Sequence, residues 1–113
     1  MPYKEIVTAR VVSRQNQQPV SGATVRVYDK DILSDDFLGE ATTDADGQFS
    51  VTFSSDDFKG HVTGLEARPD IFVKVTNPST GKTTTSKVFE ELTGSLTKND
   101  AEEIMNLGDI EVD

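Results

Sequence analysis

A chain of 113 residues with 35% hydrophobic content is the size of one ordinary domain, and it can bury about two thirds of its unfolded surface around a single core. The formal charge is -9, with eleven acids between Asp29 and Asp70 against only Lys30, Lys59 and Arg68; such a surface repels nucleic acid and anionic lipid headgroups and attracts divalent cations and basic partners. Cysteine is absent and His61 is the only histidine, which excludes disulfides, thiolate chemistry, paired catalytic histidines and multi-histidine metal centres.

The N-terminal MPYKEIVTARVV lacks the apolar run of a signal peptide, which points to a cytoplasmic protein or to a mature or expressed fragment. Nowhere does the sequence offer the eighteen or so apolar residues of an integral membrane segment. Glu5 to Ser13 is rich in β-branched residues with partial alternation and predicts a first strand, followed by a polar turn through RQNQQPVSG. Ala23 to Asp29 predicts a second strand, with Val25 and Val27 on one face and Thr24, Arg26 and Tyr28 on the other. Strands are expected again at Phe37 to Thr43 and Gln48 to Phe53. They flank Asp44-Ala45-Asp46-Gly47, whose Asp-Gly step supplies the positive φ of a tight hairpin. Phe49, Val51 and Phe53 share the inward face of the later strand.

Ser55 to Gly60 has the capping serine, early acids and terminal glycine of a single helical turn. Ile71 to Thr76 predicts a strand, and Asn77 to Lys82 a turn into a threonine-rich strand from Thr83 to Phe89. Thr97 to Asn106 has a capping box in Asn99 and Glu102, with Ala101, Ile104 and Met105 on one helical face, so a second short helix is expected there. Leu107 to Val112 closes the chain as a strand with Ile110 and Val112 inward. Seven or so short strands without a linker or repeat predict one all-β sandwich domain over residues 1–113.

The pieces QPVSGATVRVYD, DKDILSDDFLGE, TTDADGQF, PDIFVKV and LGDIEV resemble the transthyretin-like, or prealbumin-like, sandwiches, and in particular the nematode transthyretin-like family and the carboxypeptidase-regulatory-like modules. The resemblance covers Val7 to Phe53 in sequence and the remainder in topology. It implies a seven- or eight-stranded Greek-key β-sandwich, here with one or two short helices. The chain departs from the nematode pattern in having neither its cysteines nor a signal peptide. Hydroxyisourate hydrolases and intradiol dioxygenases share the fold, but the first need several histidines and a terminal Tyr-Arg-Gly-Ser, and the second paired Tyr and His ligands. One histidine and an LGDIEVD ending exclude both activities.

Asp29, Asp31, Asp35, Asp36 and Glu40 fall within a dozen residues at the mouth of two strands, with Lys30 the sole cation among them. Calcium takes six to eight oxygens, several of them loop carboxylates. Asp29 and Asp31 are two apart in an extended segment, and the return through Asp35 and Asp36 can close on the same ion, with Glu40 as an outer or weaker ligand. DKDILSDDFLGE also resembles the calcium loop of the membrane-binding sandwiches of synaptotagmin and protein kinase C, one residue shorter between Asp29 and Asp36. The competing account is a solvated loop, because Asp and Ser are good turn formers and exposed carboxylates repel by only about 1 kcal/mol per close pair. TNPSTGKT lacks the first glycine of a phosphate-binding loop and joins two strands. A lysine crosslink from Lys4 to Asn106 or Asp109 is the only such pair that first and last strands can offer.

No acid-base or nucleophile set appears. The expectation is a non-enzymatic binding or interaction module that takes calcium through the acidic loop; the alternative is a structural or assembly protein that pairs its exposed edge strands with a protein partner or with itself.

Overall fold

Alternating β-branched and polar residues build the first element, β1 (Lys4–Ser13), which turns Val7, Ala9 and Val11 inward and Thr8 and Arg10 outward. It is followed by β2 (Thr24–Asp29), β3 (Asp36–Thr42), β4 (Gln48–Ser54), β5 (Ile71–Thr76), β6 (Thr83–Thr85), the two-residue β7 (Ser95–Leu96) and β8 (Glu102–Val112). The structure is a computed structural model that describes residues 4–30, 34–54, 70–90, 95–96 and 102–113. Among them there is no helix. The strands form two four-stranded sheets packed face to face, in the orders β4-β1-β8-β7 and β3-β2-β5-β6. This is the all-β sandwich that the strand spacing predicts.

The core lies between the sheets. Val7, Val11, Val25, Val27, Ile71, Val73, Val75 and Val112 are fully buried there, with Phe49, Val51 and Phe53 filling the gap from β4. Burial of side chains of this size stabilises by roughly 1.5–3 kcal/mol each, so the alternation that delivers them fixes which face of each strand is inward. The expected faces of β2 and β4 are the ones observed.

Three expectations need correction. Residues Glu102 to Asn106 belong to β8 and not to a helix. Glu103, Met105 and Leu107 face the core while Ile104 is 39% exposed, so Ile104 and Met105 lie on opposite faces. Pairing with β1 in parallel register, Lys4 to Glu102 through Ser13 to Val112, overrides the local capping-box signal. The other half of the expected helix, residues 97–101, and the helical turn at 55–60 lie outside the described residues.

The second correction concerns the connection from Thr43 to Gly47, which is a corner between sheets and not a hairpin: β3 pairs with β2 and β4 with β1. Its turn chemistry is as expected. The Asp44 carboxylate accepts the amides of Asp46 and Gln48, both at 2.9 Å, and Gly47 has φ 77°. A β-carbon at Gly47 would also fall 2.5 Å from the Val11 carbonyl oxygen.

The third concerns β6, which ends at Thr85 and not at Phe89. The Ser86 amide still donates to the Val73 carbonyl at 2.8 Å, but the reciprocal bond is lost, because the Ser86 hydroxyl accepts the Val73 amide at 2.9 Å and donates to the Lys87 carbonyl at 2.8 Å. Pairing resumes only as an isolated bridge between Ile71 and Phe89. The Asn77 to Lys82 segment turns β5 into β6, two antiparallel strands, which bears out its reading as a strand connection.

Candidate binding face of the second sheet

Chain direction puts the acidic segment at one end of the sandwich. β2 ends at Asp29 and β3 begins at Asp36, directly opposite it in the ladder, while β1 starts and β4 finishes at the same end. The structure brings Asp29 and Asp36 together. Asp29 is buried, and one of its carboxylate oxygens accepts the Asp70 amide at 3.0 Å. Asp35 lies beside Lys30, with 3.7 Å between carboxylate and ammonium. Asp31 lies outside the described residues. Glu40 is four residues along β3 from Asp36, a distance on the order of 10 Å, and it pairs with Arg26 across the ladder at 2.8 Å. That hydrogen bond is the largest cause of a raised Arg26 pKa, with a second contribution from Tyr28, so the guanidinium stays charged at any working pH. Among the described residues no three acidic or histidine side chains converge as metal ligands. Lys4 pairs with Glu102, whereas Asn106 and Asp109 pair with Thr8 and Arg10, so the register holds Lys4 away from both crosslink candidates.

Two further acids carry no motif in the sequence. Glu5 and Glu103 are 1% and 2% exposed, and they are neighbours across the parallel β1–β8 ladder on its inward side. Their signal was phase: Glu5 alternates with Val7 and Ala9, and Glu103 with Met105 and Leu107.

The larger feature is the outward face of the sheet β3-β2-β5-β6. Tyr28 pairs with Phe37 on one side and Phe72 on the other. Their rings make a row across three strands: Tyr28 meets Phe37 edge-on at 5.6 Å and stacks on Phe72 at 5.2 Å. Lys74 and Lys30 lie over the Tyr28 and Phe72 rings at 5.2 and 5.9 Å. The next row holds Glu40, Arg26, Lys74 and Thr85, and the one after it Thr42, Thr24, Thr76 and Thr83.

A bulge makes this arrangement. Val27 pairs with Gly39 and Tyr28 with Phe37, so Leu38 is an extra residue turned into the core. Phe37 and Glu40 are three apart, and unbroken alternation would send them to opposite faces; with Leu38 inserted, both point outward, beside Tyr28 and Arg26. A groove of about 460 Å³ lies between Arg26, Tyr28, Phe37 and Glu40. Phe37 is 57% exposed at its rim.

Comparison with known proteins places this fold. The TTR-52 transthyretin-like family model matches residues 16–90. The chain belongs to the transthyretin-like family. No protein of curated function matches the sequence. Similar solved structures include a 9R-lipoxygenase from Cyanothece PCC8801 and the dioxygenase domain of a dioxygenase and carbohydrate-binding protein fusion from Streptomyces sp. SirexAA-E, each at 18% identity and TM-score 0.60 over 98% of this chain. Chlorocatechol 1,2-dioxygenase from Pseudomonas putida is similar at 16% identity and TM-score 0.60, again over 98% of the chain. This transthyretin-like chain spans 16%, 80% and 61% of those three proteins, and at such identities the likeness is one of fold. Family membership suggests a binding module. No helix among the described residues is long and apolar enough to cross a membrane.

Proposed function

We propose that this transthyretin-like chain is a non-enzymatic binding module whose ligand seats on the outward face of the second sheet at Phe37 and Tyr28, with the buried Phe72 ring stacked behind Tyr28. The observation that carries this reading is Phe37. It is a large apolar ring, 57% exposed, held edge-on against Tyr28 at the rim of a groove. Exposed aromatic side chains with a polar surround are characteristic of binding surfaces, because a ring brings much contact area at little entropic cost. The non-enzymatic part is supported by composition: one histidine and no cysteine leave neither a histidine pair nor a thiol for acid-base or nucleophilic work.

The test is amide chemical-shift mapping on labelled protein with three probes: calcium chloride, a lysine-rich peptide and a glutamate-rich peptide. The reading expects at least one probe to move amides clustered around Tyr28, Phe37 and Phe72. Saturable binding confined to the β4-β1-β8-β7 sheet would overturn it, and so would no response to any probe at millimolar concentration.

A second reading adds calcium at the Asp29 end. What favours it is the placement of Asp29 directly opposite Asp36, with Asp35 adjacent in sequence. An ion there would neutralise carboxylates that otherwise repel, and order the entry to β3. Glu40 lies four residues farther along β3, opposite Arg26, and outside this set. A melting curve in calcium against one in chelator tests this independently of the aromatic face.

A further inference from the structure

The two strands that close one side of the sandwich are both sheet edges. β3 ends one sheet and β4 the other, and they stack on each other. Between Lys30 and Lys59 the sequence has no basic residue, so this flank carries five acids, Asp35, Asp36 and Glu40 on or beside β3 and Asp44 and Asp46 in the corner that leads to β4, against two cations from β2 and its end, Arg26 on Glu40 and Lys30 beside Asp35. Among the described strands β3 pairs only with β2. Alternate residues of an antiparallel edge strand direct N–H and C=O groups away from the sheet, and such a row is a template for another strand.

Resting on the binding-module reading above, we propose that β3 accepts an extended, lysine- or arginine-bearing segment of a protein partner as an added strand. The stretch from Gly39 to Thr42 supplies the regular backbone edge. The kink at Leu38 presents Phe37 beside it, where the aliphatic stem of a basic side chain packs on the ring and its charged head reaches Glu40, which Arg26 engages through one carboxylate oxygen. Main-chain hydrogen bonds give such a mode its affinity and the alternate side chains its specificity. Charge selects the occupant. A second copy of this chain would bring another formal -9 to the same edge, whereas a basic strand is drawn to it. The bulge and the acids guard the edge against self-pairing without closing it to a cationic partner.

The experiment uses the full chain, isotope-labelled, and a blocked nine-residue peptide that alternates lysine with valine. Two companion peptides serve as controls: one of the same charge with alternate valines replaced by proline, which removes the donors a strand needs, and one with glutamate for lysine. The alternating peptide should bind, protect amides of Gly39 to Thr42 from hydrogen exchange, and lose affinity in salt. The proline peptide should bind at least tenfold more weakly and the glutamate peptide not at all. Phe37→Ala and Glu40→Gln, both at exposed positions, should each weaken binding several-fold, and Glu111→Gln, an equal charge change on β8, should leave it within twofold.

Equal binding of the proline peptide would show attraction by charge alone and overturn strand addition. Shifts at Tyr28, Phe37 and Phe72 without edge protection would overturn it too, while leaving the aromatic-face reading in place. A dimer that already protects the same amides would name a second copy as occupant, against the proposal. Absence of binding by the alternating peptide at millimolar concentration would also refute it.

Discussion

Gly39 on β3 approaches Val51 on β4 so closely that a β-carbon at position 39 would lie 2.5 Å from the Val51 Cγ1 atom. The two strands belong to different sheets, and this contact sets their separation on the flank where both are edges. Gly39→Ala should destabilise the fold by about 1–3 kcal/mol, the usual cost of forcing an extra carbon into a packed interior. Val51→Ala opens the space that the new methyl needs. In a denaturant-unfolding double-mutant cycle the pair should therefore cost at least about 0.5 kcal/mol less than the sum of the single changes. Strict additivity would show that the two residues do not touch.

Thr43 ties the corner to the turn before β2. Its hydroxyl accepts the Ala23 amide at 2.9 Å and donates to the Val20 carbonyl at 2.6 Å, and the residue is buried. Thr43→Val keeps the shape and orphans both groups, at about 1–3 kcal/mol for each buried unsatisfied partner. The urea midpoint should fall clearly with little change in slope. Thr43→Ser retains the hydroxyl and should recover most of the loss. If valine proves as stable as threonine, these bonds are not formed in solution.

The strand at Glu102 to Asn106 makes adjacent residues opposite in kind. Met105 is 1% exposed and Ile104 39% exposed. Ile104→Lys should shift the melting temperature by no more than a degree or two, whereas Met105→Lys puts an unpaired charge in the core and should leave the chain unfolded or aggregated. Similar damage from both would favour the helical alternative, in which they share a face.

Calcium at about one hundred times its Kd should stabilise the fold by roughly 2.7 kcal/mol if the Asp29 end binds it, which raises the melting temperature by several degrees. Asp36→Asn, opposite Asp29, should abolish most of that response. Asp46→Asn, in the corner between the sheets, should leave it intact. Identical melting curves in millimolar calcium and in chelator would assign the acidic segment to solvent.

The sequence alone sets the faces of the strands. Val25 and Val27, Phe49, Val51 and Phe53, and Ile110 and Val112 all read as inward from their alternation, because a period of two is a local property and burial of one face enforces it. It determined the turn chemistry of Asp44 to Gly47 as well, but not which strands that turn would leave side by side, since an Asp-Gly step favours a conformation and names no partner. Tertiary pairing decided the rest. β1 drew Glu102 to Asn106 into a strand against their helical signal, and the same pairing set Glu5 beside Glu103 from opposite ends of the chain. The bulge at Leu38 is the clearest case: only the register of β3 against β2 puts Phe37 and Glu40 on one face, and an extra residue in a ladder leaves no trace in local composition. The acids of the flank were legible as charge, but the edge they line exists only because β3 and β4 end their sheets on the same side.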